Sequence, residues 1–125
     1  MARILVIEDN AVNLELTSFL LQAHGHEVLT ATDGAAGLAL ARRDRPDLVL
    51  CDIQMPVLDG FAVASFMRAE PDLARVPLLA LTAAAMPGDR ERALASGFVA
   101  HVTKPIDPPA FIALVDAQLA TGGGE

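Results

Sequence analysis

The chain has 125 residues, 53% of them hydrophobic, which is enough for one domain with a sizeable core, yet no apolar run approaches the roughly 20 residues of a membrane span. Nine basic residues against sixteen acidic ones give a net charge of −7, and Trp and Tyr are absent, so a nucleic-acid-binding surface is disfavoured. One cysteine, Cys51, excludes an internal disulfide framework, and the N-terminus lacks a signal-peptide pattern, so we expect a cytoplasmic protein.

Apolar periodicity predicts five strands that alternate with five helices. The strands are predicted at 3–7, 27–31, 48–52, 78–82 and 99–103, and the helices at about 12–23, 35–43, 60–69, 89–95 and 108–119. This alternation is typical of a parallel sheet with helices on both faces and right-handed crossovers. We therefore predict one α/β domain over residues 1–120 and a flexible Gly-rich tail at 121–125.

Helical spacing also predicts core positions, and we expect the Phe and Leu residues at this spacing to face the core. In the first helix the regularly spaced apolar residues are Val12, Leu16, Phe19, Leu20 and Ala23. In the third they are Val63, Phe66 and Met67, and in the last Phe111, Leu114, Val115 and Leu119.

Several polar residues between these elements are interpreted as capping and turn residues. Asn10 is predicted to cap the first helix, and Asp33 and Asp59 are predicted to form turns rather than to bind a ligand. His24 and His26 flank a glycine in a turn, so we expect both to be exposed. Cys51 is interpreted as a small core residue.

The stretch 48–52 is a continuous apolar run that ends in Asp52, which is typical of a strand buried on both faces. Open α/β sheets bind their ligands at the carboxyl ends of such strands. Polar side chains mark the ends of three other strands at matching places: Glu8 and Asp9 after the first, Thr82 at the end of the fourth and Lys104 after the fifth. In a sheet of flavodoxin-like order these side chains share one crevice.

Three carboxylates in one crevice repel one another unless a cation lies between them. Magnesium prefers oxygen ligands, of which one or two are usually carboxylates, so it is the predicted cofactor. We expect Asp9 and Asp52 to be direct ligands, Glu8 to act through water, and the backbone carbonyl of Gln54 to supply another oxygen.

Asp52 is also a feasible phosphoryl nucleophile, because an aspartate is already ionised near neutral pH. Lys104 would pair with one phosphoryl oxygen as a point charge, and the Thr82 hydroxyl would donate a hydrogen bond to another. The sequence thus predicts a site with an acceptor, a metal, a cation and a hydroxyl donor.

These residues closely resemble the receiver domain of two-component response regulators, in the CheY-like superfamily. The resemblance is carried by Glu8-Asp9, the run from Asp52 to Pro56 with Gly60, Thr82-Ala83 and Lys104-Pro105, and the segment 8–13 is most similar to DivK-type single-domain receivers and to hybrid-kinase receivers. It implies a flavodoxin-like (βα)5 three-layer sandwich of strand order 2-1-3-4-5, a cis Lys104–Pro105 bond, and transfer to Asp52 from a phosphohistidine on a histidine kinase or histidine phosphotransfer protein.

The resemblance also implies a switch, in which phosphorylation draws Thr82 inward together with an aromatic residue three positions before the lysine. This chain has His101 there, a departure that could make the switch sensitive to pH. Output is expected through protein contacts of the fourth helix, fifth strand and fifth helix, with no nucleic-acid or membrane partner. Gln54 and Ala84 are expected to tune the loss of the acylphosphate.

Other functions stay open at this stage. A pseudo-receiver would bind partners without phosphorylation, although the acceptor and lysine are intact. A phosphatase with an aspartate nucleophile would need a general acid at the position of Gln54. A flavodoxin-like cofactor binder would need a phosphate-cradling first loop, where Glu8 and Asp9 would instead repel phosphate. We favour a signalling module that catalyses only its own phosphorylation and dephosphorylation over a turnover enzyme.

Overall fold

Five strands and five helices alternate in the computed structural model, which describes residues 2–55, 57–82 and 88–122. The strands are β1 (Arg3–Ile7), β2 (Glu27–Ala31), β3 (Leu48–Asp52), β4 (Leu78–Thr82) and β5 (Ala100–Thr103). The helices are α1 (Ala11–Ala23), α2 (Gly34–Asp44), α3 (Gly60–Ala69), α4 (Asp89–Ser96) and α5 (Pro108–Gly122). The predicted alternation is confirmed, but α5 continues into the predicted tail, of which 123–125 lie outside the described residues.

All four strand pairings are parallel, and the order β2-β1-β3-β4-β5 confirms the predicted sheet. The chain turns from β1 outward to β2, then crosses to β3 on the other side of β1, so the order reverses between β1 and β3. A crevice opens at such a switch point, outside the carboxyl ends of the strands. The last residue of β3, Asp52, pairs with Leu81 of β4 and therefore reaches this edge.

Two apolar layers cover the sheet because β1, β3 and β4 carry apolar side chains on both faces. Leu5, Ile7, Val49 and Cys51 pack with residues of α2, α3 and α4, and the alternating positions of the same strands pack with residues of α1 and α5. The result is the expected three-layer sandwich, and Cys51 is confirmed as a buried core residue. Within the described ranges, no helix is both long enough and apolar enough to traverse a bilayer.

Side-chain caps fix where three of the helices begin. Asn10, Asp33 and Asp59 each accept the backbone N–H three residues later, at 3.0, 2.7 and 2.9 Å respectively. Such caps satisfy N–H groups that have no partner within the helix. The capping interpretation of Asn10 is therefore confirmed, and Asp33 and Asp59, which were predicted to be turn residues, also cap helices.

The predicted core face of α1 is largely wrong, since of its five residues only Leu20 packs against the core. Val12 and Phe19 are 74% and 66% exposed, Leu16 is also exposed, and the residues that α1 buries completely are Thr17 and Leu21. The helix has apolar residues on both sides, so spacing groups the residues correctly but cannot tell which side faces the sheet.

Two further exposure predictions need correction. Phe66 in α3 is half exposed, whereas Val63 and Met67 of the same helix are buried as predicted. His24 is exposed, but only 10% of the His26 side chain is, because the ring lies against α5 with Nε2 3.8 Å from Asp116 Oδ1. His26 Nδ1 also accepts the backbone N–H of Ala2 at 3.4 Å.

Candidate functional site

Backbone hydrogen bonds continue the sheet past the strand ends and hold the polar side chains at one edge. The N–H of Glu8 donates to Ala31 at 3.0 Å, and the N–H of Lys104 donates to Thr82 at 2.7 Å. On β3, Asp52 is the last paired residue, and the following N–H donates to Leu81 O at 3.0 Å. Each predicted strand-end residue is therefore carried by regular sheet geometry.

The three predicted carboxylates meet at this edge. One oxygen from each of Glu8, Asp9 and Asp52 lies within 4.8 Å of the other two. Glu8 and Asp52 are buried, whereas Asp9 is exposed and leaves the cluster open to solvent on one side. An accessible set of anionic oxygens fits a hard divalent cation, which prefers such ligands.

Lys104 connects two of these carboxylates. Its Nζ lies 2.7 Å from Glu8 Oε1 and 3.3 Å from Asp52 Oδ2, and only 12% of its side chain is exposed. The proximity of Lys104 to Asp52 was predicted, whereas its closer contact with Glu8 was not. One ammonium group therefore offsets part of the charge of three carboxylates.

Asp52 is held from both sides. Its Oδ2 faces Lys104, its Oδ1 accepts the backbone N–H of Gln54 at 3.1 Å, and only 5% of the residue is exposed. Burial raises the pKa of Asp52, Glu8 raises it further by hydrogen bonding and charge, and Lys104 and the Gln54 N–H offset this only in part. The positive charge around Asp52 is therefore too small to offset its burial and the charge of Glu8.

The same surroundings favour the charged form of Lys104, whereas they disfavour the charged form of Asp52. Burial by itself lowers the pKa of its ammonium group, but Glu8 and Asp52 outweigh burial and raise the pKa above its usual value. The lysine is therefore charged throughout the physiological range, as an electrostatic partner of a phosphoryl group must be.

The loop after Asp52 is folded tightly beneath the site. The N–H of Gly60 donates to Ile53 O at 2.9 Å, and a Cβ on Gly60 would lie 2.5 Å from Asp52 O, so a side chain there has no room. Val57 lies at the exposed tip with φ +69°, which is rare for a β-branched residue. The Gln54 carbonyl stays a predicted ligand, and Pro56 lies outside the described residues.

Of the predicted switch residues, Thr82 lies at the same edge, whereas His101 lies two residues before the edge position of β5. Thr82 is buried at the end of β4, and His101, half-buried in β5, pairs in register with Ala80. His101 lines a cavity of about 190 Å³ between β5 and α5, together with Phe111 and Leu114. The switching role of both residues stays a prediction, and Ala83 and Ala84 lie outside the described part of the chain.

The peptide bond between Lys104 and Pro105 is cis, as the resemblance implied.

A contact between helices α3 and α4 was not predicted from the sequence. The guanidinium carbon of Arg92 in α4 lies 4.0 Å from the centre of the Phe61 ring in α3. These residues are 31 positions apart and meet only because α3 and α4 pack together, so no local sequence signal could reveal the contact.

Comparisons with known proteins place the fold and this site in context. A family model described as the response regulator receiver domain matches residues 4–116. The polar-differentiation response regulator DivK of Brucella anthropi is 39% identical over 116 residues, covering 93% of this chain and 94% of that protein, and DivK of Brucella ovis is 38% identical over the same coverage.

Solved structures agree with these sequence matches. The receiver domain of the sensor histidine kinase PA1611 from Pseudomonas aeruginosa, described with a magnesium ion in its active-site cleft, is 34% identical with a TM-score of 0.89, covering 96% of this chain and 98% of that chain. The Vibrio cholerae chemotaxis protein CheY4 is 31% identical with a TM-score of 0.89, covering 94% and 98% respectively.

Proposed function

The chain belongs to the response regulator receiver domain family, the receivers of two-component phosphorelays, and from this membership we propose that Asp52 is its phosphoryl acceptor. One observation carries the proposal: a buried aspartate at the carboxyl end of β3 lies 3.3 Å from a lysine ammonium and beside two further carboxylates. That arrangement combines a nucleophile with the charges needed to manage an incoming phosphoryl group.

The proposed step is an in-line displacement at phosphorus. An oxygen of the Asp52 carboxylate forms the new O–P bond as the N–P bond of a phosphohistidine breaks. The electron pair of that bond stays on the imidazole nitrogen, which takes up a proton. Lys104 pairs with one oxygen of the transferred group, and the Thr82 hydroxyl donates to another. Attack by water on the acylphosphate later releases inorganic phosphate and restores Asp52.

We propose Mg²⁺ as the cofactor. Glu8, Asp9, Asp52 and the backbone carbonyl of Gln54 would hold it, with Glu8 acting through water. The cluster of three carboxylates supports this choice, because its oxygens lie within 4.8 Å of one another and only one lysine offsets their charge. When bound, the ion would screen the charge of the transferring phosphoryl group.

Receiver domains interact with histidine kinases or other partner proteins, and we propose a histidine kinase or histidine phosphotransfer protein as the donor. Its contact would be the outer side of α1, where Val12, Leu16 and Phe19 are exposed. Helix α1 begins two residues after Asp9, so a partner bound to this apolar surface would lie close to the site. For output we propose the face formed by α4, β5 and α5, with Thr82 and His101 reporting the phosphorylated state.

We propose further that the protein catalyses only its own phosphorylation and dephosphorylation. A receiver domain spanning 1–120, a tail at 121–125 and a cytoplasmic location stay predictions.

The function is tested by intact-mass measurement after incubation with acetyl phosphate. Wild type should gain one phosphoryl group in the presence of Mg²⁺ and much less in a chelator, whereas Asp52→Asn should gain none. Asp33→Asn is a matched control, since it removes one negative charge but keeps a residue that can cap α2 equally well.

Three results would overturn the proposal or redirect it. An adduct on Asp52→Asn would assign the acceptor elsewhere. No adduct on a wild-type protein that binds Mg²⁺ would favour the pseudo-receiver. Continuous release of phosphate from an aryl phosphate over many turnovers would favour the phosphatase.

A further inference from the structure

A pocket opens beside the proposed acceptor, between the loop after β3 and helix α4. Its volume is about 420 Å³, and it is lined by Ile53, Gln54, Met55, Asp59, Phe61 and Arg92. Gln54 links the pocket to the acceptor, because its backbone N–H donates to Asp52 Oδ1 at 3.1 Å. The pocket therefore adjoins Asp52 through Ile53 and Gln54, the two residues that follow it, and Asp52 itself is not part of the lining.

Arg92 brings a positive charge to the pocket. Among the residues that the structure describes, it forms no ion pair with a carboxylate, whereas Arg42, Arg43 and Arg45 each do. Its guanidinium lies over the Phe61 ring at 4.0 Å, which fixes its position through one face. The N–H donors of a guanidinium point outward in its plane, so stacking leaves them available to an anion.

The electrostatics of this edge explain why such a cation is useful. Glu8, Asp9 and Asp52 make the entrance acidic, and the ammonium of Lys104 already contacts two of them. A phosphoryl donor is an anion and is repelled by this cluster as it approaches. A cation at the wall of an adjoining pocket offsets the carboxylate of Asp59 in the same lining and lowers that barrier for an anionic substrate.

We propose that Arg92 is a donor-binding residue, which attracts the anionic phosphoryl group of the donor into the pocket beside Asp52. The inference rests on the proposed function, since it concerns the donor of the same reaction. With acetyl phosphate as the probe, a carboxylate oxygen of Asp52 forms a bond to phosphorus. The P–O bond to the acetyl group breaks, and acetate leaves with the electron pair.

The test measures the rate of phosphorylation against acetyl phosphate concentration for wild type, Arg92→Met and Arg92→Lys. Methionine keeps an unbranched apolar side chain on Phe61 and removes the charge. We expect Arg92→Met to lower the second-order rate constant about three- to tenfold at low ionic strength, with the rate at saturating donor unchanged. Arg92→Lys should keep most of the wild-type rate, and the loss should fade at about 1 M salt, where screening is nearly complete.

Arg75→Met is the matched control. Arg75 is exposed and precedes β4, at the opposite edge of the sheet from Asp52. The Arg75→Met substitution therefore removes the same charge far from the site. We expect its rate constant to equal that of wild type. The experiment is repeated with phosphoramidate, which carries the phosphoryl group on a different leaving group. Arg92→Met should lower the rate constant of phosphorylation equally with both donors.

Several results would overturn the inference. One is an Arg92→Met rate constant equal to that of wild type at low salt. Another is a loss of rate that persists at high salt, or a lower rate at saturating donor concentration, because either indicates that Arg92 acts through packing. Slowing with acetyl phosphate alone would assign recognition to the leaving group instead. If wild type forms no adduct, the proposed function fails as well, whereas a phosphorylated wild type with an indifferent Arg92→Met rejects this inference alone.

Discussion

Replacing Asp52 by asparagine is expected to stabilise the folded protein when no divalent cation is present. The substitution keeps the oxygen that accepts the N–H of Gln54 and nearly the same volume. It removes the negative charge that lies beside Glu8 and Asp9, together with the attraction to Lys104. The sign of the effect depends on which of these charge interactions is larger.

Distances in the site decide the sign. At an effective dielectric constant of about 20, charges 4.8 Å apart repel by about 3.5 kcal/mol, and Asp52 has two carboxylate neighbours within this distance. The attraction of Lys104 at 3.3 Å amounts to about 5 kcal/mol on the same basis, so repulsion exceeds it. Since Asp9 is exposed and its share is screened, we expect Asp52→Asn to gain about 1 kcal/mol, a rise in melting temperature of about 4 °C.

The dependence on pH gives an independent check. Burial and Glu8 raise the pKa of Asp52 in the folded state, so the folded protein disfavours its charged form. The contribution of Asp52 to stability is therefore fully present below its unfolded pKa of about 3.9 and is lost as pH rises through the folded value. The advantage of Asp52→Asn should accordingly be largest at neutral pH and should shrink as the pH falls toward 4.

Thermal unfolding in a chelator, followed by titration with Mg²⁺, is the assay. Mg²⁺ at ten times its dissociation constant should stabilise wild type by about 1.4 kcal/mol, and Asp52→Asn much less because it lacks one ligand. Asp33→Asn should behave like wild type throughout. An Asp52→Asn protein that melts at or below wild type in the chelator, or an equal shift of both proteins by Mg²⁺, would contradict this balance of charges.

Three further substitutions or reactions test other parts of the structure. Burial, and then the charges of Asp52 and Glu8, raise the pKa of the Cys51 thiol, so a thiol reagent should label it only after unfolding; rapid labelling of the native protein would contradict this. Val57→Asn should raise the free energy of unfolding by about 1 kcal/mol in denaturant titrations, because asparagine tolerates a φ of +69° and the exposed valine side chain makes no packing contacts to lose. An unchanged free energy of unfolding would argue against backbone strain at this position. Gly60→Ala should lower the free energy of unfolding by about 1–3 kcal/mol, because its Cβ would meet the Asp52 carbonyl at 2.5 Å, and a neutral effect would contradict the close approach.

The position of the carboxylate site was predictable because sheet topology converts sequence order into position. Buried parallel strands appear as apolar runs, and the polar residue that ends each run marks the carboxyl edge of the sheet. Asp52 after β3 and Lys104 after β5 could therefore be expected at the same edge without any knowledge of their side-chain geometry. The structure brings the lysine ammonium within 3.3 Å of the aspartate.

Contacts between distant side chains were not predictable in the same way. The first helix is apolar on two sides, so periodicity could not decide that Leu21 rather than Phe19 faces the sheet. His26 and Asp116 are 90 positions apart and meet only because a turn packs on α5. The 2.7 Å contact between Lys104 and Glu8 likewise depends on the exact approach of two strand ends, which spacing along the chain does not specify.

Direct identification of the modified residue tests the central claim most sharply. Protein treated with acetyl phosphate and Mg²⁺ is reduced with borohydride, which converts a phosphorylated aspartate to homoserine, and the digested peptides are sequenced by mass spectrometry. We predict homoserine at position 52 of the wild-type chain and unmodified peptides from a chelator-treated sample. Conversion at Glu8, Asp9 or Asp59, or at no position in a protein that binds Mg²⁺, would contradict it.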